Sequence, residues 1–225
     1  MVSFQVVVKE TDLYIRAVKN LSVEAVAAVN EVRVPLERYI QEHPIFLHSL
    51  EPLPVEKDAP DIVRRMAQAA RLANVGPMAA VAGAVAEMVG ERLLQWSDDV
   101  IVENGGDIYL KVSSKRKIGI HAGKSAFSGK LAIEVEPGGT PLGICTSSGS
   151  VGFSLSLGLA DAAVVIAPSA ALADAAATAV GNMLKAEKDM DSAIERGRQI
   201  NGVRGIIVIK CNSMGAWGDI RLVQI

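Results

Sequence analysis

A chain of 225 residues with a formal net charge of -2, half of it apolar and only 4% aromatic, can bury a sizeable core. It has no surplus of cationic side chains to spread over nucleic acid or an anionic membrane. With so few rings the core must be built from Ala, Val, Ile and Leu, which suits helices packed closely on a sheet.

Cys145 and Cys211 show no paired spacing and can form at most one bridge, which points to a reducing compartment. The opening run MVSFQVVVKETDLYIRAVKN carries Lys9 and Glu10 too early for an export signal, so it reads as mature, cytoplasmic protein. Within it, FQVVV and LYIRAV flank the polar KETD as a two-stranded hairpin.

Ser22 to Glu42 places Val23, Val26, Ala27, Val34 and Ile40 at helical spacing. Ser22 is the expected N-cap, and Pro35 should kink or interrupt the helix. HPIFLHSLEPLPVEKDAP is a Pro-rich connector. Asp61 to Ala73 reads as a second amphipathic helix, and GPMAAVAGAVAEMVGERLLQW as a third with Pro77 in its first turn. Its small side chains allow close approach to a neighbour, which puts it in the middle of the fold. Its apolar stretch meets Glu87 well before the ~20 residues that a bilayer span needs.

From Val100 the pattern changes to short strands, DVIVEN, DIYLKV, RKIGIH, LAIEVEP and PLGICT, read as an antiparallel meander. ADAAVVIA is a further strand, leading through Pro168 and Ser169 into the helix AALADAAATAVGNML. A charged helix follows around Met190 to Gln199, and RGIIVIK and WGDIRLVQI close the chain as strands. These elements define one compact α+β unit, a largely antiparallel sheet covered by Ala-rich helices. A two-lobed layout is an alternative, and the apolar composition is compatible with a homodimer.

Several motifs fall away on chemistry. GIHAGKS has one residue too few between its glycines for a phosphate loop. His43, His48 and His121 lack metal-ligand spacing and read as surface or packing residues. No nucleophile elbow with a suitably placed histidine is present.

Three stretches keep a functional reading beside a plain one. ENGGDI, Glu103 to Ile108, needs a geometry that a residue with a Cβ resists: either a hairpin turn or a turn bringing backbone and carboxylate to a ligand. TSSGSVG, Thr146 to Gly152, can offer hydroxyls and amides to a phosphate or be an ordinary polar turn. Asp174 and Thr178, four residues apart on an Ala-rich helix, share one face. They suit a magnesium ion as hard oxygen ligands, or else Thr178 bonds its own helix and Asp174 pairs with an arginine.

VENGGDI, LGICTSSG and APSAALADAAATA, in that order, resemble the core of the ApbE-like family of FAD:protein FMN transferases, with the fit concentrated between Asp98 and Leu184. The resemblance implies a T-fold-like α+β architecture. It also implies that Asn104, Gly105 and Gly106 belong to a flavin-holding turn, that Thr146, Ser147, Ser148 and Gly149 hold a pyrophosphate, and that Asp174 and Thr178 ligate magnesium. Asp107 or Glu103 is, beside the resemblance, the candidate general base. The partners implied are FAD or a related nucleotide, with no nucleic acid and no membrane.

The chain departs from the transferase pattern in three places. SVGFSLSLGLAD replaces the His-x-x-Asp-Pro-x-Thr-Gly segment that normally follows the Thr-Ser-Gly loop. Glu103 stands where the first asparagine of the turn is expected. Gly152, Phe153 and Ser154 stand where the shorter, uncharacterised cytoplasmic branch writes Gly-His-Ser. Two functions follow as expectations: magnesium-assisted transfer or cleavage at the pyrophosphate of FAD or a relative, or a non-catalytic ligand-binding or scaffold protein that has lost that activity.

Overall fold

The computed structural model describes residues 1–149 and 158–225. The opening hairpin is β1 (Val2–Val8) and β2 (Thr11–Ala17), paired antiparallel from Val2↔Ala17 to Val8↔Thr11. Strict alternation in β2 buries Thr11, Leu13, Ile15 and Ala17 and leaves the residues between them exposed, as one-sided burial of a sheet requires.

Helix α1 (Ser22–Glu42) runs through Pro35 without ending. Its buried stripe, Ala25, Val29, Val32, Leu36 and Tyr39, holds both sides of the proline against the sheet and carries the helix across one missing hydrogen bond. Val23, Val26 and Val34, which suggested the apolar face, point outward. The N-cap is Leu21 rather than Ser22, whose amide instead donates to Asn20 Oδ1 at 2.9 Å.

The connector contains α2 (Ile45–His48) and is followed by α3 (Asp61–Ala73). A 3-10 turn at Pro77–Ala80 feeds α4 (Val81–Leu93). No single helix among the described residues is long and apolar enough to cross a membrane.

Strands β3 (Val100–Asn104) and β4 (Asp107–Lys111) form a tight hairpin. The next two strands, β5 (Arg116–Gly119) and β6 (Leu131–Val135), leave the expected meander and pair with each other in a separate sheet. β7 (Leu142–Ser147) returns to pair with β4, and β8 (Ala162–Ala167) pairs with β7. Helices α5 (Ala170–Met183) and α6 (Met190–Arg198) precede β9 (Gly205–Lys210), β10 (Ser213–Gly218) and β11 (Leu222–Gln224).

Among the described residues the main sheet has eight strands in the order β1-β2-β3-β4-β7-β8-β9-β10, antiparallel throughout; the second has the order β11-β6-β5. Alternation along the central strands splits the interior. Val100, Val102, Tyr109, Cys145 and Val165 face the helices. Ile101, Ile108, Leu110, Ile144, Val164 and Ile166 face the small sheet. RKIGIH and LAIEVEP are therefore the cover of a second apolar face that the helices do not reach.

Small residues set the spacing of the helical layer. A Cβ on Gly83 would lie 2.2 Å from Ala170 O, and one on Gly143 would lie 2.4 Å from Ala170 Cα. Ala170 therefore sits where α4, α5 and β7 come together, which is how the Ala-rich helices reach the middle of the fold.

Candidate functional site

The ENGGDI turn joins β3 to β4 through two glycines, with Asn104 paired to Asp107. Gly105 has φ 64° and Gly106 φ 107°, the left-handed pair that a two-residue hairpin loop demands. No atom lies within 4 Å of a Cβ built on either glycine, so positive φ, and not crowding, selects glycine at both positions. The turn thereby aims Asn104 and Asp107 at the helical layer and Glu103 at the opposite face.

On the helical side Asn104 Nδ2 donates to Ala82 O at 3.1 Å, fixing the turn against α4. Asp107 is buried and its Oδ1 has no hydrogen-bond partner. Burial raises its pKa to about 7, helped by the charge of Glu103 and opposed by the Cys145 thiol and the Thr146 backbone.

Helix α5 brings Asp174 and Thr178 to the same region. Its N-terminus is held by Ser169, which accepts from the Leu172 amide at 3.3 Å. The buried Glu87 of α4 accepts from Ser169 Oγ at 2.7 Å, from the Ala171 amide at 3.1 Å and from Arg65 at 3.0 Å. That clamp sets the height of the helix.

One turn further on, Asp174 Oδ2 accepts from the Gly83 amide at 2.9 Å. Enclosure in the protein, and then the charge of Asp107, push the Asp174 pKa well up, against the amides of Gly83 and Ala82. Cys145, fully buried, donates to Ala170 O at 3.3 Å. Its thiol is raised by burial and then by the charges of Asp107 and Asp174. The two carboxyls and this thiol form one cluster under α5.

Two cavities flank the ends of these strands. One, of about 430 Å³ on the helical side, is lined by Asp174, Thr178 and Asn182 at one end and by Leu47, Leu50, Val75 and Met78 at the other. The second, of about 150 Å³ between the sheets, is lined by Glu103, Gly105, Gly106, Thr146 and Ser148, with His121 beside them and an aliphatic floor that includes Ile144 and Val164. The candidate residues thus converge on one end of the sheet but divide between its faces. Asn104, Asp107, Asp174 and Thr178 gather on the helical side, and Glu103, Thr146 and Ser148 on the other. Ser147 lies against α5, with its Oγ 3.3 Å from a Cβ built on Gly181. The Gly149 amide donates to Ala160 O at 2.9 Å, and the rest of the TSSGSVG loop, from Ser150, lies outside the described residues.

Cys145, Glu87, Gly83 and His48 escaped the sequence reading. Cys145 is adjacent to the Thr-Ser-Gly motif, and Gly83 interrupts an Ala-rich helix, a signal of close approach. His48 lines the larger cavity although its spacing to other ligand types carries no signal. Among the described residues no group of three or more His, Cys, Asp and Glu side chains converges as a metal cage. The donor set is two carboxyls, one of them with an orphan oxygen, and a hydroxyl: hard oxygen chemistry that fits magnesium in kind.

Solved structures of flavin transferases share this fold. The flavinyl transferase ApbE of Pseudomonas stutzeri superposes with a TM-score of 0.60 at 15% identity, over 96% of this chain and 93% of that one. The ApbE protein of Thermotoga maritima superposes with a TM-score of 0.61 at 13% identity, over 95% and 96%. Sequence narrows the class: the family model described as "AbpE bacteria" matches residues 1–210, and the chain belongs to that family. A UPF0280 protein of Methanocaldococcus jannaschii is 41% identical over 96% of this chain and 90% of its own length. A UPF0280 protein of Methanosarcina barkeri is 39% identical over 94% and 85%.

Proposed function

We propose that the protein binds FAD or a related nucleotide diphosphate together with magnesium, and acts at the pyrophosphate by transfer or cleavage. The observation that carries this reading is the buried, unpartnered Oδ1 of Asp107 in the same cluster as Asp174, whose carboxyl opens with Thr178 onto a cavity of about 430 Å³. A buried acceptor without a donor is costly, and a divalent cation removes that cost. The structural neighbours are flavin transferases, and the shared fold supports a flavin nucleotide as the ligand.

In this reading Asp174 and Thr178 hold the cation, and bound magnesium supplies neutralisation of charge on the phosphoryl oxygens. Asn104 and the Gly105–Gly106 turn fix the site wall. Ser147, the hydroxyl of this loop that lies against α5, is on the pyrophosphate side, whereas Thr146 and Ser148 line the smaller cavity with Glu103. Gly149 keeps the loop close to Ala160, its own amide being engaged there. Asp107, raised toward neutrality, is the candidate base on the helical side, although it lies beneath the cavity and not on its wall. Glu103, on the other face, serves the smaller cavity.

The test is incubation of the full chain with FAD and magnesium, with and without a protein acceptor, following release of AMP or FMN. Turnover that needs magnesium and is lost in Asp174→Ala supports the proposal. Tight binding of FAD without release under every condition rejects the enzyme and favours a binding protein; absence of both rejects the flavin reading.

A further inference from the structure

We infer that the segment 45–50 is the specificity wall of the larger cavity, seating the planar organic part of a nucleotide whose phosphate end lies at Asp174 and Thr178. The inference rests on the function proposed above and adds where the ring system goes.

The cavity is divided by chemistry. Asp174, Thr178 and Asn182 form a polar end, whereas Leu47, Leu50, Val75, Met78 and Val81 are contiguous and apolar. Its volume of about 430 Å³ lies within the ~300–1,000 Å³ typical of organic ligand sites and far exceeds what inorganic diphosphate needs. Leu47 and Leu50 are 42% and 57% exposed while lining it. Two large aliphatic side chains left wet beside a hard-oxygen end match a ligand with an apolar body and an anionic head.

The wall is built and held. Phe46, 1% exposed, anchors the segment from below and meets the Tyr39 ring edge-on at 5.2 Å. Tyr39 Oη donates to Glu56 Oε2 at 3.0 Å beyond the segment's far end. Between the two, the backbone lies so close to Gly76 that a Cβ there would fall 1.8 Å from Ser49 O. The leucines are therefore presented on a fixed backbone, and among the described residues the His48 imidazole is the one ring that lines the cavity. Recognition rests mainly on aliphatic contact, with that imidazole beside it, which separates nucleotides from bare diphosphate without choosing strongly between ring systems.

The experiment compares magnesium-loaded FAD, ADP and inorganic pyrophosphate by titration calorimetry on the full chain. The variants are Leu47→Ser/Leu50→Ser and Asp174→Ala, each checked for folding by circular dichroism; the leucines are exposed enough to change without unfolding the core. The double leucine variant is expected to lose about tenfold or more in affinity for FAD and ADP and to keep pyrophosphate within about twofold. Equal losses for all three probes, no loss for any, or pyrophosphate as the only ligand bound overturns the wall. Loss of nucleotide affinity in the leucine variant, with Asp174→Ala unchanged toward every probe, supports the wall and rejects the cation site. Failure of the parent chain to bind any probe overturns both.

Discussion

The amide of Gly83 donates to Asp174 Oδ2 at 2.9 Å, joining α4 to α5 across 91 positions of sequence. It does so because glycine lets the two helices touch: a Cβ at this position would meet Asp174 Cβ at 2.7 Å as well as Ala170 O. Gly83→Ala is expected to cost about 2–3 kcal/mol in urea denaturation. It should also displace the carboxyl from the cavity end. Gly139→Ala, where a Cβ meets nothing within 4 Å, should stay within about 0.5 kcal/mol.

The raised Asp107 carboxyl makes stability depend on pH in the opposite sense to an ordinary ion-paired acid. The unfolded chain releases this proton near 3.8, whereas the folded protein keeps it to about 7. Below the unfolded value burial of this group has no proton-linked cost, and the cost grows as pH rises through the folded value. Stability measured by chemical denaturation should fall from about pH 4 to about pH 7 and level off above that. Asp107→Asn should flatten that slope and gain about 1–3 kcal/mol at the alkaline end. An unchanged slope in the variant would show that the carboxyl is solvated.

Magnesium should act on the same balance. If Asp174 and Thr178 hold the cation, millimolar magnesium stabilises the parent chain at about pH 8 by mass action, on the order of 1–2 kcal/mol. Asp174→Ala and Thr178→Val should both lose this response. Thermal melts with and without chelator decide it, and an equal response in Asp174→Ala places the ion elsewhere.

Glu87 is bound by Arg65 and by the first turn of α5 at once. Glu87→Ala strips a helix terminus of its acceptor and leaves Arg65 with the more exposed Asp61 and Glu91. About 2–4 kcal/mol should be lost in denaturant titration. Glu87→Gln, which keeps an acceptor for Ser169, should lose roughly half as much.

In the turn the two glycines differ in what they tolerate. Gly105, at φ 64°, lies where asparagine is admitted, so Gly105→Asn should cost less than about 0.5 kcal/mol. Gly106, at φ 107°, has no such substitute, and Gly106→Val should cost about 2 kcal/mol or more. Equal effects would mean that crowding, and not backbone conformation, governs the turn.

Most strands and the long helices were legible because alternation and Ala-rich periodicity are local properties, and because Gly-Gly between two apolar runs has few other uses; WGDIRLVQI, expected as one strand, instead divides between β10, which starts at Ser213, and the short β11, with 219–221 outside either. The N-terminal valines misled for a physical reason. Val23, Val26 and Val34 recur at helical spacing, but the stripe through Ala25, Val29, Val32, Leu36 and Tyr39 is the one that turns inward, and two helical stripes cannot both face the interior. The meander failed because RKIG and LAIEV look like any other strands; only the second apolar face of the main sheet diverts them into another layer.

At the site, the Asp174–Thr178 couple could be read from its improbability among alanines. That the orphan oxygen of Asp107 lies on the same side of the sheet depends on which face of β4 turns inward. The cavity wall at Leu47 and Leu50 had no signal at all, since a Pro-rich connector reads as a linker until something is seen packed beneath it.

β11 pairs with β6, Leu222 opposite Ile133 and Gln224 opposite Leu131, so the small sheet waits for a strand made long after its partners. During translation the hairpin, the helices and most of the main sheet can assemble while the aliphatic face bearing Ile108, Ile144 and Val164 stays incompletely roofed. A nascent chain stalled before Leu222 is therefore expected to bind a hydrophobic dye and to recruit chaperone, and to lose both once β11 leaves the ribosome.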